Sequence, residues 1–142
     1  MKHELTIIVA YGSWHIGARI IQRMSRIENV EIIGQANDAV ELLAQIASKH
    51  PDLIILDVQL SQRTGLDVLR TAKEISSGPL VMMTSASVYP QYRKECLREG
   101  ADYFYYLPEE LEEMTTAVAE LSINVSGEIA KSGHGSATAQ ED

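Results

Sequence analysis

The sequence predicts a doubly wound α/β domain, in which a parallel sheet is covered by helices on both faces. Five short apolar runs rich in β-branched or aromatic residues recur along the 142-residue chain, and stretches with helical spacing of apolar residues separate them. The runs carry few polar side chains, which is typical of parallel strands buried on both faces. Because right-handed crossovers return the chain to the same end of the sheet, this alternation favours one layered domain.

The individual elements follow in chain order. The strands are predicted at residues 5–10, 30–34, 53–56, 80–83 and 103–106. The apolar helical positions are Ile20, Met24 and Ile27, then Val40, Leu43, Ala44 and Ala47, then Leu66, Leu69 and Ala72, and finally Leu111, Met114, Val118 and Leu121. Asn37 or Asp38 can cap the second helix, and Gly100 can end the fourth. Pro51 and Pro79 precede the third and fourth strands, which agrees with these boundaries.

Composition and charge exclude several classes of function. With 45% hydrophobic residues, the chain can bury a core without support from metals or disulfides. Its 12 Lys and Arg against 20 Asp and Glu give a formal net charge of -8, so direct binding to nucleic acid or to a membrane is not expected. The one cysteine, Cys96, is expected to be a core thiol in a reducing compartment. The apolar stretch at residues 7–10 is too short for a signal peptide or a membrane span, so a cytoplasmic location is expected.

The folded domain is expected to span residues 1–125. The following segment, residues 126–142, is small, polar and nearly free of large apolar side chains, so it cannot offset the entropy cost of becoming ordered. It is interpreted as a disordered C-terminal tail or the remnant of a linker. His134 within it is expected to be solvated rather than to act as a ligand.

Residues 51–70, with the sequence PDLIILDVQLSQRTGLDVLR, resemble the centre of the response regulator receiver family. In that family an aspartate ends the third strand and a glycine eight residues later opens the third helix; here these are Asp57 and Gly65. Three further blocks fit in order: GQANDAVELLAQIASKHPD, VMMTSAS and GADYFYYLP. The resemblance spans residues 5–123 and implies a CheY-like, flavodoxin-like sheet of five parallel strands in the order 2-1-3-4-5.

The resemblance makes Asp57 the candidate phosphoacceptor, but the groups that normally assist it are missing. Receivers hold a magnesium ion with two acidic residues at the end of the first strand, the acceptor aspartate and a backbone carbonyl, here that of Gln59. The acidic pair falls on Tyr11 and Gly12, and neither supplies a carboxylate. The lysine of the family falls on Leu107. No cofactor is therefore expected, and any magnesium binding is expected to be weak.

Other positions of the family pattern are present. Thr84 and Phe104 fall on the switch hydroxyl and the switch aromatic, and Pro108 is expected to follow a cis peptide bond. Each candidate also has a structural interpretation. Asp57 can bond to nearby backbone amides, Thr84 can satisfy local backbone, and Phe104 can be a core aromatic.

Two aromatic residues lie next to the vacant acidic positions. Tyr11 is hypothesised to donate a hydrogen bond from its phenol to Asp57, in place of a metal. Trp14 and His15, at the start of the first helix, are expected to pack and cap rather than to bind a ligand.

A concentration of aromatic residues marks a candidate interface on the fourth helix, fifth strand and fifth helix, the region through which receivers pair with each other or with targets. The candidate interface residues are Val88, Tyr89, Tyr92, Tyr103 and Tyr105. The alternative interpretation is that about half of these rings pack against the sheet.

The leading interpretation is an atypical receiver of two-component, or phosphorelay, signalling that works without phosphorylation and has no catalytic activity. Its expected partner is a histidine kinase, a downstream target or a second copy of the chain. The alternative is a working phosphoacceptor that a histidine kinase phosphorylates at Asp57. In that case the chain could be the N-terminal part of a transcriptional regulator.

Overall fold

The computed structural model describes residues 3–60, 64–74 and 78–127. Within these ranges, five strands alternate with five helices. The strands are β1 Leu5–Ala10, β2 Val30–Ala36, β3 Leu53–Asp57, β4 Leu80–Ser85 and β5 Tyr103–Tyr106. The helices are α1 Trp14–Met24, α2 Ala39–Lys49, α3 Gly65–Glu74, α4 Pro90–Arg98 and α5 Leu111–Gly127. All five predicted strands are confirmed, and β2, β3 and β4 each extend one or two residues beyond their predicted ends.

The strands form one parallel sheet in the order β2-β1-β3-β4-β5, which confirms the predicted fold class and strand order. The order reverses at β1, because the chain passes from β1 to β2 on one side and then returns to β3 on the other. Such a reversal leaves a crevice at the carboxyl ends of the two strands. Since β1 ends at Ala10 and β3 ends at Asp57, the crevice opens beside the candidate aspartate.

Two apolar cores lie on opposite faces of the sheet, and alternate strand residues point to each of them. Ile54 and Leu56 of β3 pack with α2 and α3, whereas Leu53 and Ile55 pack with α1 and α5. All four side chains are at most 1% exposed. Burial on both faces explains why the strands read as continuous apolar runs. Cys96 of α4 lies in the first core, as predicted for a core thiol.

Helix α2 buries a different stripe from the one predicted. Its buried residues are Ala39, Leu42 and Ile46. Val40 is 69% exposed, and the prediction is therefore wrong for the stripe Val40, Leu43, Ala44 and Ala47, of which only Leu43 is half-buried. The helix carries apolar residues on two stripes, and the stripe with Leu42 and Ile46 faces the sheet because its larger side chains bury more apolar area.

Two predicted helix ends are confirmed. The side chain of Asp38 accepts a hydrogen bond from the N–H of Glu41 at 2.8 Å, so Asp38 is the N-cap of α2. Gly100 follows Glu99, the C-cap of α4, with a φ of 109°. Residues with a Cβ rarely adopt that conformation, which explains why a glycine ends this helix.

Side chains of α2 also cover the edge strand β2. Lys49 donates a hydrogen bond to the carbonyl of Ile33 at 2.8 Å, and Gln45 donates one to the carbonyl of Gln35 at 3.0 Å. Edge strands with open backbone groups tend to pair with other chains. Helix α2 therefore satisfies backbone groups that an added strand would otherwise use.

An aspartate holds the starts of β4 and β5 together. The carboxylate of Asp102 accepts hydrogen bonds from the N–H of Val81 and from Lys73, each at 2.8 Å. The N–H of Asp102 donates to the carbonyl of Val81 at 2.9 Å. Because Val81 is 0% exposed, its N–H depends on this carboxylate as its acceptor.

Helix α5 ends near the expected domain boundary, and the division into a folded domain and a tail stays a prediction. The helix continues to Gly127, against a predicted boundary at residue 125. The rest of the predicted tail, residues 128–142 with His134, lies outside the described residues. Of the helices in the described ranges, none is long and apolar enough to cross a membrane.

Asp102→Ala is expected to lower the free energy of unfolding by about 2 kcal/mol, because it leaves the buried N–H of Val81 without an acceptor and breaks the ion pair with Lys73. Asp102→Asn keeps an acceptor oxygen for that N–H and is expected to lose less. Urea unfolding of the parent and of both variants measures the difference. Equal losses in the two variants would contradict the role assigned to the bond from Val81.

Candidate functional site

A cleft of about 280 Å³ opens at the carboxyl end of the sheet, where the strand order reverses. Three segments line it, each of them at the end of a different strand. They are Gly12, Ser13 and Ile16 after β1, Asp57 to Leu60 at the end of β3, and Ser85 to Ser87 at the end of β4. The fold therefore brings the candidate phosphoacceptor and a candidate acidic-pair position into one cleft.

The carboxylate of Asp57 is buried and is held by backbone donors. The residue is 9% exposed. Its Oδ1 accepts a hydrogen bond from the N–H of Gln59 at 3.0 Å, and its Oδ2 accepts a longer one from the N–H of Gly12 at 3.4 Å. Burial raises the pKa of Asp57 above its ordinary value of 3.8, and the two backbone bonds oppose this rise without cancelling it. The carboxyl therefore keeps its proton to a higher pH than an exposed aspartate would.

The residues around Asp57 do not fit a magnesium ion. Among the residues that the structure describes, no group of three or more His, Cys, Asp or Glu side chains could hold a metal. A Cβ at Gly12 would collide with the carbonyl oxygen of Gln59, the oxygen that the family pattern assigns to the metal. No side chain can therefore extend from residue 12 without displacing that carbonyl. Of the protein oxygens that the family pattern gives to magnesium, the carboxylate of Asp57 and the carbonyl of Gln59 remain, and both carboxylates of the acidic pair are missing.

The side chain of Tyr11 is directed away from Asp57. Its hydroxyl donates a hydrogen bond to Oε1 of Gln35 on β2 at 2.9 Å, so the hypothesis that the phenol donates to Asp57 is wrong. The ring fills the space over Gly17 of α1, where a Cβ would collide with the ring carbons. The ring also packs against the core formed with α1 and α5. The donor to Asp57 from this turn is instead the N–H of Gly12.

Leu107, at the lysine position of the family pattern, is a core residue. It is 5% exposed and belongs to the same apolar core as Leu111 of α5. Its N–H donates to the carbonyl of Ser85 at 2.9 Å. The peptide bond between Leu107 and Pro108 is cis, as predicted. An apolar side chain packed in this way brings no positive charge to the cleft.

The two candidate switch residues lie on strands beyond Asp57. Thr84 is 2% exposed and lies directly opposite Asp57 in the pairing of β3 with β4. Phe104 pairs with Met83 on β4 and is 5% exposed, within the core on the α3 and α4 side. Both positions are compatible with their structural interpretations, and their roles in switching stay predictions.

The candidate interface residues divide between exposed and half-buried positions. Val88 and Tyr89, before α4, are 60% and 52% exposed. Tyr103 and Tyr105 are half-buried and pack against the core of α1 and α5. Their two rings stack on each other, with centroids 6.3 Å apart. Tyr92 packs on the opposite face of the sheet, edge-on to Tyr89 at 5.5 Å. Aromatic rings therefore lie on both faces of the sheet near its edge strand β5.

Sequence reasoning misjudged Trp14 and missed two charged residues. Trp14 begins α1 beside the cleft and is 70% exposed, so its expected packing role is wrong. The buried stripe of α1 consists of Gly17, Ile20 and Met24. Trp14 precedes Gly17 by three residues, so helical spacing alone places it near that stripe and does not predict its exposure. Arg93 and Glu110 form an ion pair at 3.1 Å that no spacing or motif in the sequence marks.

The family model for the response regulator receiver domain matches residues 15–119. The chain belongs to the response regulator receiver family. Protein-glutamate methylesterase/protein-glutamine glutaminase 1 of Methanospirillum hungatei is 29% identical to this receiver over 119 residues, which are 82% of this chain and 35% of that protein. Regulatory protein LuxO of Vibrio cholerae is 36% identical over 91 residues, which are 63% of this chain and 19% of that protein.

A solved structure supports the same fold. The signal receiver domain of NarL from Mycobacterium tuberculosis matches with a TM-score of 0.77 at 21% identity, covering 84% of this receiver and 97% of that chain. This receiver is a domain of two-component signalling, where receivers bind kinases or downstream effectors. The chain spans between 19% and 38% of the length of five curated relatives that it matches.

Asp57→Asn is expected to raise the midpoint of thermal unfolding at neutral pH. Folding raises the pKa of this carboxyl. The folded state therefore loses stability as the pH rises from 3.8, the ordinary pKa of the group, through the raised pKa. Asparagine stays neutral, so its advantage should shrink as the pH falls toward 3.8. Calorimetry across this range measures the effect, with Asp67→Asn on α3 as a control outside the cleft. An advantage that does not change with pH would contradict the assignment.

Proposed function

We propose that this receiver signals in the cytoplasm through protein contacts that do not require phosphorylation of Asp57. The observation that carries the proposal is the close approach of Gly12 to the carbonyl of Gln59, which leaves no room for a metal-binding side chain at residue 12. Tyr11, the other position of the acidic pair, bonds to Gln35 instead. In this proposal the domain has no catalytic activity of its own and needs no metal.

The charge around the cleft supports the proposal. A phosphoryl group would bring about -1.5 to -2 charges to Asp57. Opposite unit charges roughly 4 Å apart attract by about 4 kcal/mol at an effective dielectric constant near 20, and a receiver with magnesium and lysine has a divalent and a monovalent cation at this place. Here Leu107 occupies the lysine position, and the metal ligands are missing at Tyr11 and Gly12. Burial already raises the pKa of Asp57, which disfavours negative charge at this place.

The proposed contact surface consists of α4, β5 and α5, and its charges suit a second copy of the chain. Exposed side chains include Lys94 and Arg98 on α4, and Glu113 and Glu120 on α5. Burial raises the pKa of Tyr105 on β5 to about 12, and charge repulsion from Tyr103 and from carboxylates that include Glu113 and Glu120 adds to this rise. A two-fold axis along β5 would bring the basic helix of each copy toward the acidic helix of the other.

A working phosphoacceptor is the second candidate function. It is favoured by Thr84, which lies directly opposite Asp57, and by the cleft of about 280 Å³ that borders the carboxylate. In this case a histidine kinase would phosphorylate Asp57, and the chain would be the receiver part of a longer regulator. The two candidates differ in whether Asp57 reacts with a phosphodonor.

Acetyl phosphate is expected to add no phosphoryl group to the protein, with or without magnesium. The protein and its Asp57→Asn variant are incubated with the donor under each condition, and intact mass is measured. A receiver that is readily phosphorylated serves as the positive control. A single phosphoryl adduct that requires magnesium and is absent from Asp57→Asn would overturn the proposal in favour of the second candidate.

A charge swap tests the second copy as the partner. One variant combines Lys94→Glu with Arg98→Glu and reverses the charge of α4. The other combines Glu113→Lys with Glu120→Lys and reverses that of α5. Each variant alone is expected to self-associate about tenfold or more weakly than the parent, because like charges then face each other across the axis. An equimolar mixture should restore the association.

Sedimentation equilibrium measures these associations at matched concentrations. Self-association that neither variant weakens would contradict this arrangement of two copies. A parent protein that stays monomeric would exclude the second copy and leave a different protein as the partner of the surface.

A further inference from the structure

Helix α4 has little apolar attachment to the sheet. It has one buried residue, Cys96, whereas α1 and α2 each have three and α3 has four. A half-buried ring, Tyr92, adds to this contact. Because apolar burial supplies most of the free energy that docks a helix on a sheet, α4 needs other contacts to stay in place.

Arg93 supplies such contacts. The central carbon of its guanidinium lies 5.0 Å from the ring centroid of Tyr106 and 5.5 Å from that of Phe104. At these distances a cation is attracted to an aromatic face. The guanidinium also donates to the backbone carbonyl of Phe104 at 3.0 Å and to Oε1 of Glu110 at 3.1 Å. One side chain of α4 therefore binds both β5 and the loop that leads to α5.

Glu110 and Tyr106 extend these contacts to both ends of the loop. Oε1 of Glu110 accepts a hydrogen bond from the N–H of Tyr106 at 2.8 Å, in addition to the one from Arg93. The hydroxyl of Tyr106 donates to the carbonyl of Tyr89, the N-cap residue of α4, at 3.1 Å. The start of α4, the end of β5 and the loop before α5 are thus joined in one network.

The same side chains cover the edge of the sheet. β5 is an edge strand, so it has a strand neighbour on one side, β4. The carbonyl of Phe104 and the N–H of Tyr106 bond to Arg93 and Glu110 rather than to another strand. An extended peptide adds to a sheet through backbone groups of this kind. While the two side chains stay in place, those groups are not available to it.

We propose that Arg93 and Glu110 form a latch that holds α4 on β5, and that α4 leaves the sheet as a unit when the latch opens. The continuous surface of α4, β5 and α5 then exists only while the latch is closed. This consequence for partner binding rests on the proposed function, whereas the latch itself does not. The side chains of the pair are 36% and 30% exposed, so dissolved salt reaches and weakens it.

Hydrogen exchange of backbone amides tests the latch in the free protein. Arg93→Gln removes the charge and the forked donor, and Lys94→Gln removes the neighbouring exposed cation of α4 as the matched control. In Arg93→Gln, amides of residues 91–98 are expected to exchange at least about tenfold faster, which corresponds to about 1.4 kcal/mol of opening free energy. Amides of β1 and β3 are expected to keep their parent rates, and Lys94→Gln is expected to match the parent throughout.

Two results would overturn the latch. One is equal exchange of α4 in Arg93→Gln and Lys94→Gln. The other is acceleration spread evenly over α4, β1 and β3, which would indicate general destabilisation. Arg93→Lys keeps the charge without the fork, so its α4 exchange should lie between the parent and Arg93→Gln. If Arg93→Gln does not fold, Arg93→Lys is used for the test instead. Exchange of its α4 amides at the parent rate would then overturn the latch.

The parent protein offers a test without any substitution. Raising the ionic strength from about 0.1 M to about 1 M shortens the screening length from roughly 10 Å to roughly 3 Å. The exchange of α4 should accelerate while that of β1 does not, and equal responses of both elements would contradict the latch. None of these readouts needs a phosphodonor or a partner. If the latch proposal is wrong, the α4 amides of Arg93→Gln exchange at the rate of Lys94→Gln. If the proposed function is wrong, acetyl phosphate adds a phosphoryl group to Asp57.

Discussion

The arrangement of the cleft depends on the contact between the backbone of Gly12 and the carbonyl of Gln59. These residues follow β1 and β3, the strands between which a doubly wound sheet leaves its crevice. In this arrangement the N–H of Gly12 donates to Asp57, and a Cβ at residue 12, from which a second carboxylate would extend, would collide with that carbonyl. Backbone donors thus hold the buried carboxylate, in a place where the family pattern has acidic side chains and a metal. This one constraint links the fold to the proposed loss of the metal site.

The sheet could be predicted from the sequence because its strands are buried on both faces. Ile54 and Ile55 point to opposite cores, so no polar side chain interrupts the run. The buried face of helix α2 was harder to predict, because apolar residues occupy two of its stripes. The choice between them depends on the area that Leu42 buries against the sheet, and spacing along one helix contains no information about that neighbour.

The candidate site was predictable where the fold sets a residue's position relative to a strand end, as for Asp57 and Leu107. The partner of the Tyr11 hydroxyl was not, because it lies 24 residues away on a neighbouring strand. Arg93 presents the same difficulty, since it binds the backbone of β5 and a glutamate of the following loop. Contacts from a side chain to the backbone of another element leave no periodic signal in a sequence.

A magnesium titration followed by the NMR shifts of the Gly12 and Gln59 amides measures whether the cleft binds a metal at Asp57. Both N–H groups donate to the carboxylate of Asp57, so a metal bound to that carboxylate would shift both signals. Neither amide is expected to show a saturable shift through the millimolar range. Saturable shifts of both amides that disappear in Asp57→Asn would contradict it.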